Sequence, residues 1–169
     1  NRSAHPFIAP RMIHGPRFGP VPLLHALSGG IAGGVMALVP LYATNRYGID
    51  ALGSGTLLVA QGVAAIVVSV AATLVLRRTG YRLPLYIGNT VMTVGLVLLA
   101  VSPAAGIVPY AWLAAAAFLV GVGNGWVNPA SRNAGLQLEP RQSSTIAALR
   151  SLGRQIGAIV AISAATAVL

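Results

Sequence analysis

The side chains that could do chemistry in this sequence are mainly amides set within long uncharged stretches. Gln61 opens a row of small and polar residues at a spacing of four, which places them along one side of a helix. Asn124 and Asn128 belong to a second such stripe, and Trp126 lies close by in the sequence. A buried amide in an apolar helix either makes an interhelical hydrogen bond or lines a solvated cavity that a substrate can enter. The sequence leaves both alternatives open for these amides.

Two arginines near the C-terminal end are candidate functional charges. If Ser143 or Ser144 caps the last helix, Arg150 and Arg154 lie on one face at positions i and i+4. Arg154 would then sit roughly 15 Å along that helix. Its charge either snorkels to the headgroups or faces a cavity. In a cavity it would pair with a carboxylate elsewhere in the protein or with an anionic group of a substrate.

The inventory of reactive groups argues against an enzyme. The only acids, Asp50 and Glu139, fall in predicted loops, and the three histidines all precede residue 26. There is no cysteine or lysine, which excludes thiolate sites and a lysine-containing phosphate loop. The sequence therefore predicts no catalytic residues, no cofactor and no metal site, and any proton-carrying carboxylate must lie outside the spans.

The elements that position these residues follow from the charge pattern. Hydrophobic residues make up 56% of the 169 residues, charged residues make up 8%, and the mean hydropathy is +0.77. An ordinary soluble domain is roughly a quarter charged, so a soluble fold is not expected. Uncharged runs long enough to cross a bilayer predict an all-α, polytopic membrane helix bundle. The predicted spans are about 21–44, 54–76, 84–102, 109–130 and 144–169, the last incomplete.

The net charge of +9 comes from arginines clustered in the predicted loops. That distribution is typical of membrane proteins and indicates no nucleic-acid partner. Eight arginines fall on one side and only Arg46 on the other, so the N-terminal end is expected to be cytoplasmic. Residues 1–20 are broken by prolines and form either an interfacial segment or a plain cytoplasmic linker.

Pairs of glycines spaced by four recur in the predicted spans. Such pairs either allow tight helix packing or let helices slide during a transport cycle. The pairs are Gly29/Gly33, Gly30/Gly34, Gly121/Gly125 and Gly153/Gly157.

Several motifs occur in a characteristic order along the chain. A Gly-rich span ends in Pro40-Leu41-Tyr42, and a later span closes on Arg77-Arg78-Thr79-Gly80-Tyr81-Arg82. Gly121-Val122-Gly123-Asn124-Gly125 and Arg154-Gln155-Ile156-Gly157 follow. This order resembles the C-terminal half of the major facilitator superfamily, closest to the 14-span drug:proton antiporters (EmrB/QacA-like). The sequence departs from the family at Thr73 and Arg77, where a Gly and an Asp are frequent.

The resemblance implies a function and a set of cavity residues. It implies proton-coupled export of drugs or other small organic molecules by alternating access. Spans one, two, four and five would line the cavity and span three would face lipid. The implied cavity residues are Gln61, Asn124, Trp126 and Asn128, whereas Asn89 and Thr93 would serve packing.

The resemblance also implies the setting in which the chain works. Its partners would be the lipid bilayer, a small-molecule substrate, protons and the missing N-terminal half of the same chain, in a bacterial cytoplasmic membrane. The start at Asn1 and the apolar end favour an internal fragment. The alternatives are a metabolite transporter of the same superfamily, or an unrelated polytopic permease or membrane subunit that binds a partner protein.

Overall fold

The computed structural model of the protein describes residues 20–103, 106–138 and 143–168. These ranges contain five helices, which confirms the predicted all-α fold of a membrane helix bundle. They are α1 (Pro20–Tyr47), α2 (Ala51–Thr79), α3 (Arg82–Ala100), α4 (Pro109–Leu138) and α5 (Ser143–Val168). Residues 1–19, which make up most of the predicted interfacial segment, lie outside the described residues.

Most of the helices extend beyond the predicted apolar spans because polar groups stabilise their ends. Asp50 caps α2, and its Oδ1 accepts a hydrogen bond from the backbone N–H of Gly53 at 3.0 Å. At its other end α2 continues through Arg77 and Arg78 and stops at Gly80, whose φ of 69° favours glycine. The charged and polar termini therefore belong to the helices, although they lie outside the apolar stretches.

By length and composition, three of the described helices could cross a membrane. They are Ala51–Thr79, Arg82–Ala100 and the Pro109–Asn133 part of α4. Between Thr56 and Arg77, α2 rises about 32 Å at about 1.5 Å per residue. That rise matches the hydrocarbon thickness of about 30 Å. These helices indicate an integral membrane protein.

The described residues form two compact units, and the larger comprises residues 35–138. Within it α4 packs along both α2 and α3. Gly121 meets Gln61 and Gly125 meets Ala65, so α2 and α4 run parallel. Contacts with α3 run in the opposite sense, since Gly88 of α3 meets Gly123, and Gly95 meets Val120. This alternation is what three successive membrane crossings require.

Among the described residues, the smaller unit joins residues 20–34 and 143–168, and its core is a contact between α1 and α5. A Cβ atom placed on Gly30 would lie 2.8 Å from the carbonyl oxygen of Gly157. One placed on Gly33 would lie 2.5 Å from the Cβ of Ala158. These backbones approach closely because their side chains are small, as tight helix packing at these glycines requires.

Candidate functional site

Gln61 lies at the point where α2 and α4 approach most closely. A Cβ atom on Gly121 would overlap the backbone carbonyl oxygen of Gln61, which leaves no room for a larger residue there. Gln61 is only 2% exposed, and its buried Oε1 has no hydrogen-bond partner among the residues that the structure describes. An unsatisfied buried acceptor costs about 1–3 kcal/mol. The Oε1 atom therefore makes no hydrogen bond to the described residues, and a donor could reach it only if the packing of α2 against α4 changed.

Asn124 and Asn128 bond to each other along α4. The Nδ2 of Asn128 donates to the Oδ1 of Asn124 at 3.1 Å, and both residues are half-buried. The Ser131 hydroxyl donates to the backbone carbonyl of Asn128 at 3.2 Å. The hydrogen bond between the two side-chain amides uses one N–H donor of Asn128 and one oxygen lone pair of Asn124. Each side-chain amide has two N–H donors and two lone pairs in all. The predicted stripe is thus a polar row within one helix, with capacity for further bonds.

The helix register sets the distance between Gln61 and the asparagine pair. Gln61 is level with Gly121, and Ala65 is level with Gly125. Asn124 therefore lies three residues farther along, about 4.5 Å at about 1.5 Å per residue. Gln61 itself lies about 15 Å from the start of α2 at Ala51. The structure thus places Gln61 about 8 Å inside the Thr56–Arg77 stretch of α2 and the two asparagines at deeper levels of the parallel helices.

Trp126 lies on a different side of α4 from the two asparagines. Successive helical residues turn by about 100°, so two steps from Asn124 or Asn128 place Trp126 about 200° away. Consistent with this, a Cβ atom on Gly88 of α3 would lie 2.8 Å from the Cβ of Trp126. The structure therefore separates Trp126 from the amide row and places it beside α3.

Other polar residues of α2 and α3 bond within their own helices. Ser69 is half-buried and Thr73 is exposed, with the Thr73 hydroxyl donating to the Ser69 carbonyl at 2.7 Å. Asn89 and Thr93 of α3 are exposed and donate to carbonyls one turn earlier, each at 2.9 Å. The exposure agrees with a lipid-facing side of α3. The Nδ2 of Asn89 and the hydroxyl of Thr93 thus find their hydrogen-bond acceptors within α3.

Sequence reasoning missed a group of hydroxyls where α2 begins. Ser54 is buried, and its Oγ lies 3.2 Å from the Thr44 hydroxyl of α1. The Thr56 hydroxyl lies 2.7 Å from the Tyr110 hydroxyl at the start of α4. These bonds join residues distant in sequence, so no local pattern predicts them.

Of the two candidate charges, the structure describes the side chain of Arg154 only. Arg154 is exposed on α5. The helix begins at Ser143, one of the two predicted caps, so Arg154 lies about 16 Å along it. Arg150 belongs to the same helix, but its side chain lies outside what the structure describes.

Comparison with known proteins identifies the family. The family model of the Major Facilitator Superfamily matches residues 3–162, which is nearly the whole chain. Comparison with curated proteins and with solved structures gave no match. The matched range includes nearly all of the described helices and each of the amides and arginines considered above. The chain therefore belongs to the major facilitator superfamily of membrane transporters.

Proposed function

We propose that this chain is part of a secondary transporter that exports drugs or other small organic molecules by alternating access, in exchange for protons. The observation that carries the proposal is the buried Oε1 of Gln61, which has no hydrogen-bond partner among the described residues and whose level along the helix axis is about one turn from that of Asn124. A binding site at mid-depth between helix bundles is how such transporters hold their substrate. Residues that leave polar capacity there are candidates for substrate contact.

The chemistry of these side chains supports a substrate class. Gln61, Asn124 and Asn128 offer neutral donors and acceptors, and no acid occurs between Asp50 and Glu139. Recognition through this half would rest on hydrogen bonds and apolar contact, which suits neutral or charge-delocalised organic molecules. We propose that the proton-carrying carboxylate lies in the N-terminal half of the same chain. We also propose that the transporter resides in a bacterial cytoplasmic membrane.

A second candidate, a metabolite transporter of the same superfamily, is favoured by one observation. Arg154 leaves its guanidinium exposed about 16 Å along α5. A charge at such depth in a membrane helix is costly and marks functional sites. A guanidinium there would bind a carboxylate or phosphate through paired hydrogen bonds, which predicts an anionic metabolite as substrate.

Transport by matched asparagine and glutamine variants tests the proposal. We expect Gln61→Ala and Asn124→Ala to lower proton-driven uptake of an organic dye into inverted vesicles about three- to tenfold. That loss corresponds to one hydrogen bond. Asn89→Ala is the control, because Asn89 also lies mid-helix but bonds to its own helix. Uptake is normalised to the amount of protein in the membrane.

The outcomes separate the alternatives. Loss of uptake in the Gln61 and Asn124 variants at unchanged abundance supports a substrate contact. Abundance that falls in step with uptake shows packing residues and contradicts the proposal. Uptake of an anionic metabolite that depends on Arg154, together with no dye uptake, favours the second candidate.

A further inference from the structure

Three arginines lie together where α2 passes into α3. Arg77 and Arg78 end α2, and Arg82 begins α3, with the tight turn at Gly80 between them. All three arginines are exposed. We call these three residues the α2–α3 arginine cluster. Three guanidinium groups within six residues make a concentrated positive charge at one end of the larger unit.

No described carboxylate neutralises this end of the unit. The sequence has two acids. Asp50 caps the start of α2, at the opposite end of that helix, and Glu139 lies outside the described residues. The parallel register of α2 and α4 places a fourth exposed arginine, Arg132, at the same end. The described part of the chain therefore offers the cluster no carboxylate partner.

The cluster continues two stripes of side chains that are exposed on the larger unit. Val70 and Leu74 are each 63% exposed and precede Arg78 at a spacing of four, so the three residues share one side of α2. On α3, Arg82 and Tyr86 share a side in the same way, and Tyr86 is 76% exposed. In a bilayer these stripes contact acyl chains. The guanidinium groups then lie at the level of the headgroups, where tyrosine rings also favour the interface.

We propose that the α2–α3 arginine cluster is a binding site for the phosphate of an anionic phospholipid. Guanidinium groups bind phosphate through paired, charge-assisted hydrogen bonds, and clusters of basic residues beside membrane helices attract anionic lipids. The adjoining apolar stripes decide for a lipid over a soluble phosphate, because they offer a surface to the acyl chains of the same molecule. The site is separate from the amides of α2 and α4 and does not depend on what is transported.

Lipid binding by charge variants tests the site. The purified protein is placed in nanodiscs of phosphatidylcholine mixed with phosphatidylglycerol, and the retained phosphatidylglycerol is counted by native mass spectrometry. We expect each Arg→Gln change at Arg77, Arg78 or Arg82 to weaken binding about fivefold. Arg46→Gln is the matched control, because Arg46 is equally exposed but ends α1, near the opposite end of α2.

Melting temperatures identify the anion, and the single variants show whether a loss of binding reflects misfolding. The melting temperature of wild-type protein should rise with phosphatidylglycerol but not with inorganic phosphate in neutral lipid. A rise with inorganic phosphate alone would show a soluble-anion site and overturn the proposal. A triple variant combines Arg77→Gln, Arg78→Gln and Arg82→Gln. Equal phosphatidylglycerol retention in this triple variant and in the Arg46→Gln control would also overturn the proposal. If the triple variant does not fold, the single variants decide by the same criterion.

Discussion

At the scale of single residues, Gln61 of α2 is buried although its side-chain oxygen accepts no hydrogen bond from the described residues. Its side chain is enclosed as fully as the apolar residues on either side of it, Leu57 and Ala64. Those neighbours are apolar and need no hydrogen-bond partner, whereas the amide oxygen of Gln61 has none among the described residues, in a region where lipid offers no donor. A residue kept at such a cost is expected to have a use beyond packing.

This conflict predicts opposite effects on stability and transport. Methionine has nearly the shape of glutamine and no polar amide, so Gln61→Met should fill the same space and remove the unsatisfied acceptor. We expect the variant to be more stable by about 1 kcal/mol and to lose uptake. Thermal unfolding in detergent measures the first effect, and the vesicle assay measures the second. A lower melting temperature would mean that the amide has a partner in the folded protein.

The sequence predicts some features of these residues and not others. The spacing of four correctly places Gln61 on a defined side of α2, because helical periodicity is local. That its Oε1 is unpaired depends on α4, where Gly121 brings the two backbones together. Likewise, the bond between Asn124 and Asn128 follows from their spacing. The contact of Trp126 with α3 requires knowledge of the neighbouring helix.

At the scale of elements, α4 holds two helices at once through glycines on two of its sides. Gly121 and Gly125 meet α2, and Gly123 meets α3, where a Cβ atom would lie 2.6 Å from the Gly88 carbonyl oxygen. Lipid provides no hydrophobic drive for helices to associate, so their contact depends on close packing. The short distances show that these positions have no room for a methyl group.

Alanine substitutions should therefore distinguish contact glycines from the others. We expect Gly121→Ala and Gly125→Ala to destabilise the protein by about 1–3 kcal/mol through overpacking, seen as a lower melting temperature in detergent. Gly62→Ala is the control, because a Cβ atom there meets nothing within 4 Å. It should leave the melting temperature unchanged or raise it, since alanine favours helix by about 1 kcal/mol. Equal effects at Gly62 and Gly121 would show that helix propensity decides, and not packing.

Element positions are predictable from sequence to a greater degree than element contacts. The uncharged runs indicated helices whose bounds differ from α2 and α3 by a few residues, because charged ends such as Arg77 and Arg78 extend the helix into the interface. A proline inside a helix need not end it, since α4 contains Pro129 and continues to Leu138. Which side of α4 meets α2 is not readable from the sequence, since glycines at 121, 123 and 125 lie on both sides.

At the scale of the whole molecule, the two ends of the larger unit differ in chemistry. Four aromatic residues and Arg46 lie at the end where α2 begins, and Arg77, Arg78, Arg82 and Arg132 lie at the other end. The Tyr42 and Tyr47 hydroxyls lie 3.4 Å apart. The Trp112 Nε1 donates to the Leu98 carbonyl at 2.8 Å, and Tyr110 bonds to Thr56. Aromatic residues mark a membrane interface, and arginines mark the cytoplasmic side, so this asymmetry predicts an orientation.

The absence of cysteine in the sequence allows that orientation to be measured one site at a time. Asn45→Cys and Thr79→Cys each introduce a single thiol at an exposed position, near opposite ends of the larger unit. We expect an impermeant maleimide to label Asn45→Cys in intact cells and Thr79→Cys only after the membrane is opened. The physical reason is that moving the Arg77, Arg78 and Arg82 charges across the bilayer opposes the membrane potential. The unmodified protein gives the background of labelling.

If Thr79→Cys is labelled in intact cells and Asn45→Cys is protected, the arginine-rich end is external and the predicted topology is inverted. The lipid site would then face the outer leaflet, and the direction of transport would have to be assigned anew.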